Sequence, residues 1–370
     1  MNAPPFAQVE VEPEVADLPF TREFLGRLPG GLPVRIRSPG EPPPTGKRTV
    51  HLTREAGAFL KPCPCSPGAV RCGYWVFSPV FQCPFSCTYC FLRLYAPDAP
   101  LTLYANLEDA AREFTRQAEE WTGPVRVGTG QFADSLAMDP WTRHAPWLVE
   151  LVGRFRHVEL ELKTKSDRVE GLLETEVFAN AVVAWSVNPP RIIAREEPGA
   201  APLAARLRAA REVVRAGYRV AFHLDPVFLE DGWEETYRDL LGELFAAVDP
   251  GRVAWVSLGT LRFPPRFLER WGPALRGHRE FFGELVPGED GKLRHFWPAR
   301  RDAYRFLWKE LRRWGGVGLR VYLCMESRAT WASALGWAPD DGELERYLAG
   351  AGASVPASPG LTSRPGAGTR

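Results

Sequence analysis

Three thiols stand in the segment Cys83-Pro-Phe-Ser-Cys87-Thr-Tyr-Cys90, a CxxxCxxC spacing. Thiolates are the preferred ligands of iron–sulfur clusters, and a loop this short can wrap three corners of a four-iron cubane. The fourth iron then has no local protein ligand, because none of the histidines at positions 51, 144, 157, 223, 278 and 295 lies near the loop. An iron left open in this way can bind a substrate or a cofactor. The competing chemistry is a structural zinc site, which needs four ligands and would recruit Cys63, Cys65 or Cys72. The spacing is unlike the paired CxxC of common zinc ribbons and favours the cluster.

The chain has seven cysteines, and all but Cys324 fall between positions 63 and 90. In a large chain such clustering argues for a metal or redox site over a disulfide framework. Cys63, Cys65 and Cys72 form CxCx6C upstream of the loop. Three thiols without a fourth ligand do not make a second cluster, and none is expected. The 370 residues suffice for one large barrel or two ordinary domains. With 45% hydrophobic and 25% charged residues the composition is that of an ordinary globular protein. No apolar run approaches membrane-spanning length, and the first residues lack a basic then apolar leader, so a cytoplasmic enzyme is expected. A net charge of +1 gives no whole-molecule attraction to a polyanion.

The elements that must position the thiols follow from hydrophobic periodicity. Strands are expected over Tyr74 to Phe81, Val125 to Gly128, Val158 to Thr164, Val182 to Val187, Tyr218 to Leu224, Val253 to Leu258 and Leu319 to Cys324. Helices are expected from an N-cap at Asn106 to Trp121, and over Trp147 to Phe155, Leu203 to Ala216, Trp233 to Val248 and Arg301 to Trp314. This repeated strand-then-helix order demands a mostly parallel sheet with right-handed crossovers. The fold class is therefore α/β, a partial (β/α) barrel, with a full barrel or an open doubly wound sheet as alternatives. In each, ligands gather at the C-terminal ends of the strands. The cysteine loop follows the first strand at that end. Residues 1–45 read as a mobile arm, 46–73 as a cysteine-containing lead-in, 74–335 as the barrel and 336–370 as a largely disordered extension.

CxxxCxxC with an aromatic, Tyr89, just before its last cysteine resembles the radical S-adenosylmethionine (SAM) superfamily. The segment Cys83 to Tyr95 is similar to the cluster loop of spore photoproduct lyase and its DNA-repair photolyase-like relatives. Further matching stretches are Glu196 to Gly199, Ala209 to Phe228, Gly232-Trp233, Ser257 to Pro265 and Val321 to Ser327. The resemblance spans roughly residues 60 to 330 in collinear order. It implies a radical SAM barrel that holds a [4Fe–4S] cluster on Cys83, Cys87 and Cys90. It also implies reductive cleavage of SAM to a 5′-deoxyadenosyl radical, damaged or modified DNA as substrate, and a flavodoxin or ferredoxin type of reductant protein as partner.

By the same resemblance the SAM site takes in Tyr89, Asp134, Lys165, Ser186, Asn188 and His223. Lys165 aligns with a lysine near the SAM carboxylate or substrate, against the plain reading of a solvated lysine. Ser186 aligns with a serine of the family, against a strand-end hydroxyl bonded to backbone. Asn188 lies two residues on, facing the same side. His223 and Asp225 share one strand face and can bind ribose or substrate, or form a structural pair. The family pattern breaks in Gly130-Gln131-Phe132-Ala133-Asp134. Gln131 stands where the family has its hydrogen-donating cysteine, and Ala133 replaces a serine that contacts SAM. An amide cannot donate a hydrogen atom as a thiol can. This leaves a peptide or small metabolite as the alternative substrate. It makes Cys324, at the end of the last strand, a candidate donor, against the plain reading of a small buried hydrophobe. For nucleic acid, Arg301, Arg305, Lys309, Arg312 and Arg313 share one helix, preceded by Arg294, His295, Phe296, Trp297 and Arg300. They form either a phosphate-contacting surface or the solvated face of a barrel helix.

Overall fold

The segment Val158-Glu-Leu-Glu-Leu-Lys-Thr164 alternates apolar and charged residues, so as a strand it must turn two different faces to two different environments. The structure, a computed structural model that describes residues 4–350, repeats this logic around a curled sheet. Its strands are β1 (Leu60–Pro62), β2 (Tyr74–Phe77), β3 (Val125–Gly128), β4 (Val158–Thr164), β5 (Ala181–Ser186), β6 (Arg219–Val227), β7 (Val253–Thr260) and β8 (Val321–Leu323). They pair in chain order, parallel from β2 to β8, with β1 antiparallel on the edge. The sheet is a half-barrel, because β1 and β8 do not pair. Instead the chain between β1 and β2 crosses the open side. It is tacked to the turn after β8 by a bridge between Ala69 and Ser327 and by Val70 N–H donating to the Glu326 carbonyl at 3.0 Å.

The outward face packs on helices. Leu160 and Leu162 of β4, Val183 and Trp185 of β5 and Phe222 and Leu224 of β6 are fully buried. They share one core with α2 (His144–Gly153), α3 (Leu203–Ala216) and α4 (Trp233–Ala247). Two further helices complete the layer, α1 (Leu107–Glu120) before them and α5 (Trp297–Gly315) after them. Asn106 stands at the expected N-cap of α1, but its amide does not cap. It accepts from Glu55 N–H at 2.9 Å and donates to the Glu55 carbonyl at 3.1 Å, tying the helix to the preceding segment.

Within the expected arm of residues 1–45, the described residues from position 4 onward form an ordered unit instead. The strand Gln8–Val11 pairs in parallel with Val34–Ile36 and Thr49–Thr53, and the sheet continues through Leu101–Tyr104 to Val80–Phe81. A second core fills this unit, with Val9, Val11, Phe24, Val50, Leu52, Leu101 and Leu103 all buried. The acidic residues that suggested solvation are neutralised: Arg37 pairs with Glu10 and with Glu12, and His51 contacts Glu12 at 2.7 Å. The partner strands lie far along the chain, which is why no local pattern announced them. At the other end, part of the expected disordered extension is ordered. Asp341–Leu348 is a helix with a capping box from Asp340 to Glu343, its Leu344 and Leu348 are buried, and Val321 N–H donates to Tyr347 Oη at 2.9 Å. Residues 351–370, where the rest of that extension falls, lie outside the described residues. No helix among the described residues is long and apolar enough to cross a membrane.

His144 joins the two cores. Its ring stacks on Phe20 at 4.9 Å, and neither ring nitrogen has a hydrogen-bond partner among the described residues. Burial, aided by the Arg27 charge, pushes the imidazole down to about 3. The unfolded chain therefore takes up a proton near pH 6.5 that the folded chain refuses, and stability falls as pH drops from there. The loss is about 1.4 kcal/mol per pH unit, or roughly 2 kcal/mol at pH 5. His144→Phe is expected to remove this slope, so its Tm should drop less than the wild type's between pH 7 and pH 5. Equal drops would show that His144 does not carry the effect.

Candidate active site at the mouth of the half-barrel

A cavity of about 690 Å³ opens at the C-terminal ends of the strands, and Cys83, Cys87 and Cys90 all line it. Several supports fix their loop. Val80–Phe81 belongs to the N-terminal sheet, so the chain enters the loop from a paired strand. Gln82 then turns in the left-handed region at φ 79°, a conformation costly for a residue with a Cβ. Its N–H donates to the Phe132 carbonyl at 2.9 Å and its side-chain amide to the Ala96 carbonyl at 2.6 Å. Lys47 Nζ reaches the Phe85 carbonyl at 3.0 Å.

The loop is gripped from its far side by two adjacent carboxylates. Glu196 accepts from the Thr88 hydroxyl and from His278 Nδ1 at 2.7 Å. Glu197 accepts from the Tyr89 hydroxyl at 2.5 Å and from Arg206 at 2.5 Å. The backbone reinforces this, with Ser86 N–H donating to the Pro198 carbonyl and Thr88 N–H to the Glu196 carbonyl, each at 2.9 Å. The residues between Cys87 and Cys90 are thus held by the segment after β5. In the sequence Glu196-Glu197-Pro198-Gly199 had been legible only as a resemblance, with no role.

Burial raises the Cys83 thiol well above its ordinary range, and the nearby Asp134, Cys87 and Cys90 add to the effect. Burial likewise pushes Cys87 up to about 12, although the Lys165 charge opposes it. Desolvated thiols suit metal centres that supply positive charge. Among the described residues no three His, Cys, Asp or Glu side chains are grouped closely enough for a single metal ion. Three thiols from one loop, lining a single open cavity, fit a multi-iron cluster.

The other expected residues fall into two groups. Lys165, Ser186, His223 and Tyr89 line the cavity. The Lys165 ammonium lies 5.6 Å from the centre of the Tyr89 ring. Burial works against its charge, but Glu197 and the Cys87 thiol outweigh this and hold its pKa above the ordinary value. Its Nζ has no hydrogen-bond partner among the described residues, so it is available to a ligand. Asp134 also lines the cavity, but its carboxylate is already taken: it accepts from Leu136 N–H, Ala137 N–H, the Thr164 hydroxyl and Lys165 N–H at 2.6–3.0 Å. Its position makes it a clasp between the loop after β3 and the end of β4, beside the cavity where contact with SAM is expected. Asn188 departs from its expected place. It does not line the cavity and is buried behind Glu197, donating to it at 3.3 Å and accepting from Tyr237 Oη at 2.9 Å.

Deeper in the half-barrel the inward face is polar. Register puts Tyr74, Arg126, Glu161, His223, Trp255 and Tyr322 on that face. His223 Nε2 contacts Glu161 at 2.6 Å, and Trp255 Nε1 donates to the same carboxylate at 3.2 Å. Asp225 is bound in a two-pronged pair by Arg262 at 3.0 and 3.1 Å. His223 and Asp225 therefore share a face, as expected, but each has its own partner.

The family profile described as "Spore photoproduct lyase" matches residues 78–262, half of the chain. The chain belongs to the spore photoproduct lyase family. The spore photoproduct lyase of Geobacillus sp. (strain Y412MC61) is 30% identical over 164 residues, 44% of this chain and 48% of that protein. That of Bacillus subtilis (strain 168) is 30% identical over 171 residues, 45% of this chain and 49% of that protein. The chain thus spans about half the length of the curated relatives it matches. A solved spore photoproduct lyase complexed with dinucleoside spore photoproduct superposes with a TM-score of 0.73 at 21% identity, covering 86% of this chain and 98% of that one. A variant of the enzyme with bound AdoMet and the same dinucleoside also gives 0.73, at 22% identity. These likenesses carry the half-barrel fold.

Gln131 lines the same cavity as the cluster loop, and so does Cys324. The basic helix α5 is largely spent within the protein. Arg300 binds Glu326, Arg301 pairs with Asp302, Arg305 donates to the Ser333 carbonyl, Arg312 to the Leu319 carbonyl, and Arg313 binds Glu310. The Arg313 side chain is still 64% exposed and that of Arg305 42%, so the helix fits a solvated barrel face and a phosphate-contacting surface equally.

Proposed function

We propose that this chain is a radical SAM enzyme of the spore photoproduct lyase type that acts on damaged or modified DNA. The observation that carries the reading is the convergence of Cys83, Cys87 and Cys90 with the Lys165 ammonium on one cavity at the strand ends. The three thiolates would hold a [4Fe–4S] cluster and leave one iron open to the amino and carboxylate groups of SAM. When bound, the pair supplies a 5′-deoxyadenosyl radical that abstracts a substrate hydrogen. Lys165 would bind the SAM carboxylate, its charge maintained by Glu197 and Cys87. Ser186 would orient the same ligand from the end of β5, and His223 would meet ribose or substrate. Tyr89, tied to Glu197, keeps the loop in register beside them. The electron comes from an external reductant of the flavodoxin or ferredoxin class. The DNA substrate is supported by the family relation. A peptide or small-metabolite substrate is favoured by one observation, the amide of Gln131 on the cavity wall.

Anaerobic incubation of the reconstituted protein with SAM, dithionite and dinucleoside spore photoproduct, read by mass spectrometry, separates these readings. Production of 5′-deoxyadenosine with repair of the lesion supports the DNA reading. Production of 5′-deoxyadenosine with the lesion intact favours the alternative, and none at all ends the radical SAM assignment. Lys165→Ala is expected to weaken SAM binding about tenfold or more, the worth of one charge-assisted hydrogen bond. Equilibrium binding of SAM to the reconstituted variant checks it. An unchanged Kd would remove Lys165 from the site.

A further inference from the structure

Four further thiols that line the cavity have no part in the proposed reaction. Cys63 and Cys65 follow β1, Cys72 precedes β2, and Cys324 follows β8; all four line the cavity. Their convergence is produced by the seam of the half-barrel. Cys63 N–H donates to the Tyr74 carbonyl and Cys65 N–H to the Cys63 carbonyl, each at 2.8 Å, so the CxC turn folds back on the start of β2. The bridge between Ala69 and Ser327 and the bond from Val70 N–H to the Glu326 carbonyl then lay this turn against the end of β8. Met325, next to Cys324, adopts φ 58°, a left-handed conformation held by the same turn.

A second observation points to what these thiols hold. Arg126 is only 6% exposed, yet its Nε and Nη1 have no hydrogen-bond partner among the described residues. Its Nη2 donates to Cys72 Sγ at 3.4 Å. The ring of Trp255 lies 4.7 Å from the guanidinium, with Tyr322 and Tyr74 also beside it. On the same wall Arg262 Nη2 donates to Cys324 Sγ at 3.8 Å. A buried guanidinium with unfilled donors is costly unless an anion completes it. Glu161 acts on Arg126 through its charge, but its carboxylate accepts from His223 and Trp255 and leaves the guanidinium donors unfilled. Neutral thiols do not fill them, whereas an iron–sulfur cluster with four thiolate ligands is a dianion in its oxidised state. Cations donating to ligand sulfurs are one of the ways a protein tunes such a centre.

We infer that Cys63, Cys65, Cys72 and Cys324 bind a second iron–sulfur cluster, which staples the open seam between β1 and β8 and completes the charge of Arg126. With four protein ligands its irons are closed, so it does not bind substrate. A ligated Cys324 also has no hydrogen atom to give, which replaces its expected role as donor.

The test is iron and sulfide content after anaerobic reconstitution of the full chain. Wild type is expected to hold about eight irons with matching sulfide, and the Cys83→Ala, Cys87→Ala, Cys90→Ala variant about four. That triple variant leaves all four seam thiols in place, so it does not depend on the seam folding without them. A triple variant with no iron, or with one zinc and no sulfide, would overturn the inference. Cys324→Ser, a conservative change, should shift the electron paramagnetic resonance spectrum of the cluster retained in the triple variant. An unaltered spectrum there would equally count against it. Failure of the loop assignment reads differently: the triple variant would then keep all the iron of the wild type.

Discussion

Replacing Cys83, Cys87 and Cys90 together by alanine is expected to take SAM cleavage from turnover to background, a fall on the order of a thousandfold or more. No other described residue offers the same chemistry on that wall of the cavity: Lys165, Ser186 and Gln131 bear no thiol, and Asp134 is consumed by four protein donors. The loss should be chemical and not structural. The loop is fixed by Gln82, Thr88 and Tyr89, whose bonds do not involve the thiols. Thermal unfolding of the metal-free proteins should therefore shift by no more than about 1 kcal/mol. Persistent 5′-deoxyadenosine from the triple variant would show that the radical does not originate at this loop.

Removing Arg206 is expected to be the most damaging single change to the fold. Arg206 and Glu197 form an ion pair in which both side chains are wholly buried, and Arg206 also donates to the Ser186 and Ala201 carbonyls. Breaking such a pair strands a charge in a low-dielectric interior, at about 3–5 kcal/mol. Arg206→Met should lower stability by this amount in denaturant unfolding of the metal-free protein. It should also loosen the cluster loop, because Glu197 holds Tyr89. A double Glu197→Leu, Arg206→Met variant should recover much of the stability without recovering iron retention. Equal iron retention in wild type and double variant would mean that the carboxylate does not position the loop. Acid should act on the same pair. Burial raises the Glu197 carboxyl, but Lys165, Arg206 and Tyr89 outweigh it, and its pKa sits below the ordinary value. The stability it contributes is present above the unfolded carboxylate pKa and is lost as pH falls through the lower, folded one.

The parts of this molecule that were legible in the sequence are those whose pattern is local. Val158 to Thr164 was bounded correctly because alternation of period two is visible in seven consecutive residues. The cysteine loop was legible because its ligands lie within eight positions. What escaped depends on pairing across the chain. Gln8–Val11 is a strand only because Thr49–Thr53 and Val34–Ile36 flank it. Glu196 and Glu197 become a clamp only once β5 brings them under Thr88 and Tyr89. Asn188 was placed by its spacing from Ser186, and only the structure reveals that it sits behind Glu197, bonded to it and to Tyr237. Cys324 joins Cys63, Cys65 and Cys72 through a seam that no spacing rule anticipates.

The two hydrophobic cores lie behind the sheet and inside the N-terminal unit, whereas the inward face of the half-barrel carries Tyr74, Arg126, Glu161, His223 and Asp225. The polar groups of that face stand apart from the core, although Trp255 and Tyr322 beside them belong to it. Mutations of those polar side chains touch little of the apolar burial that sustains the native state, so descent can exchange them while the scaffold persists. A lineage that lost the thiol at the Gln131 position would not have had to relearn how to fold. Divergence of substrate among relatives should accordingly concentrate on the side chains lining this lumen, and the Glu196–Glu197 clamp should change more slowly than they do.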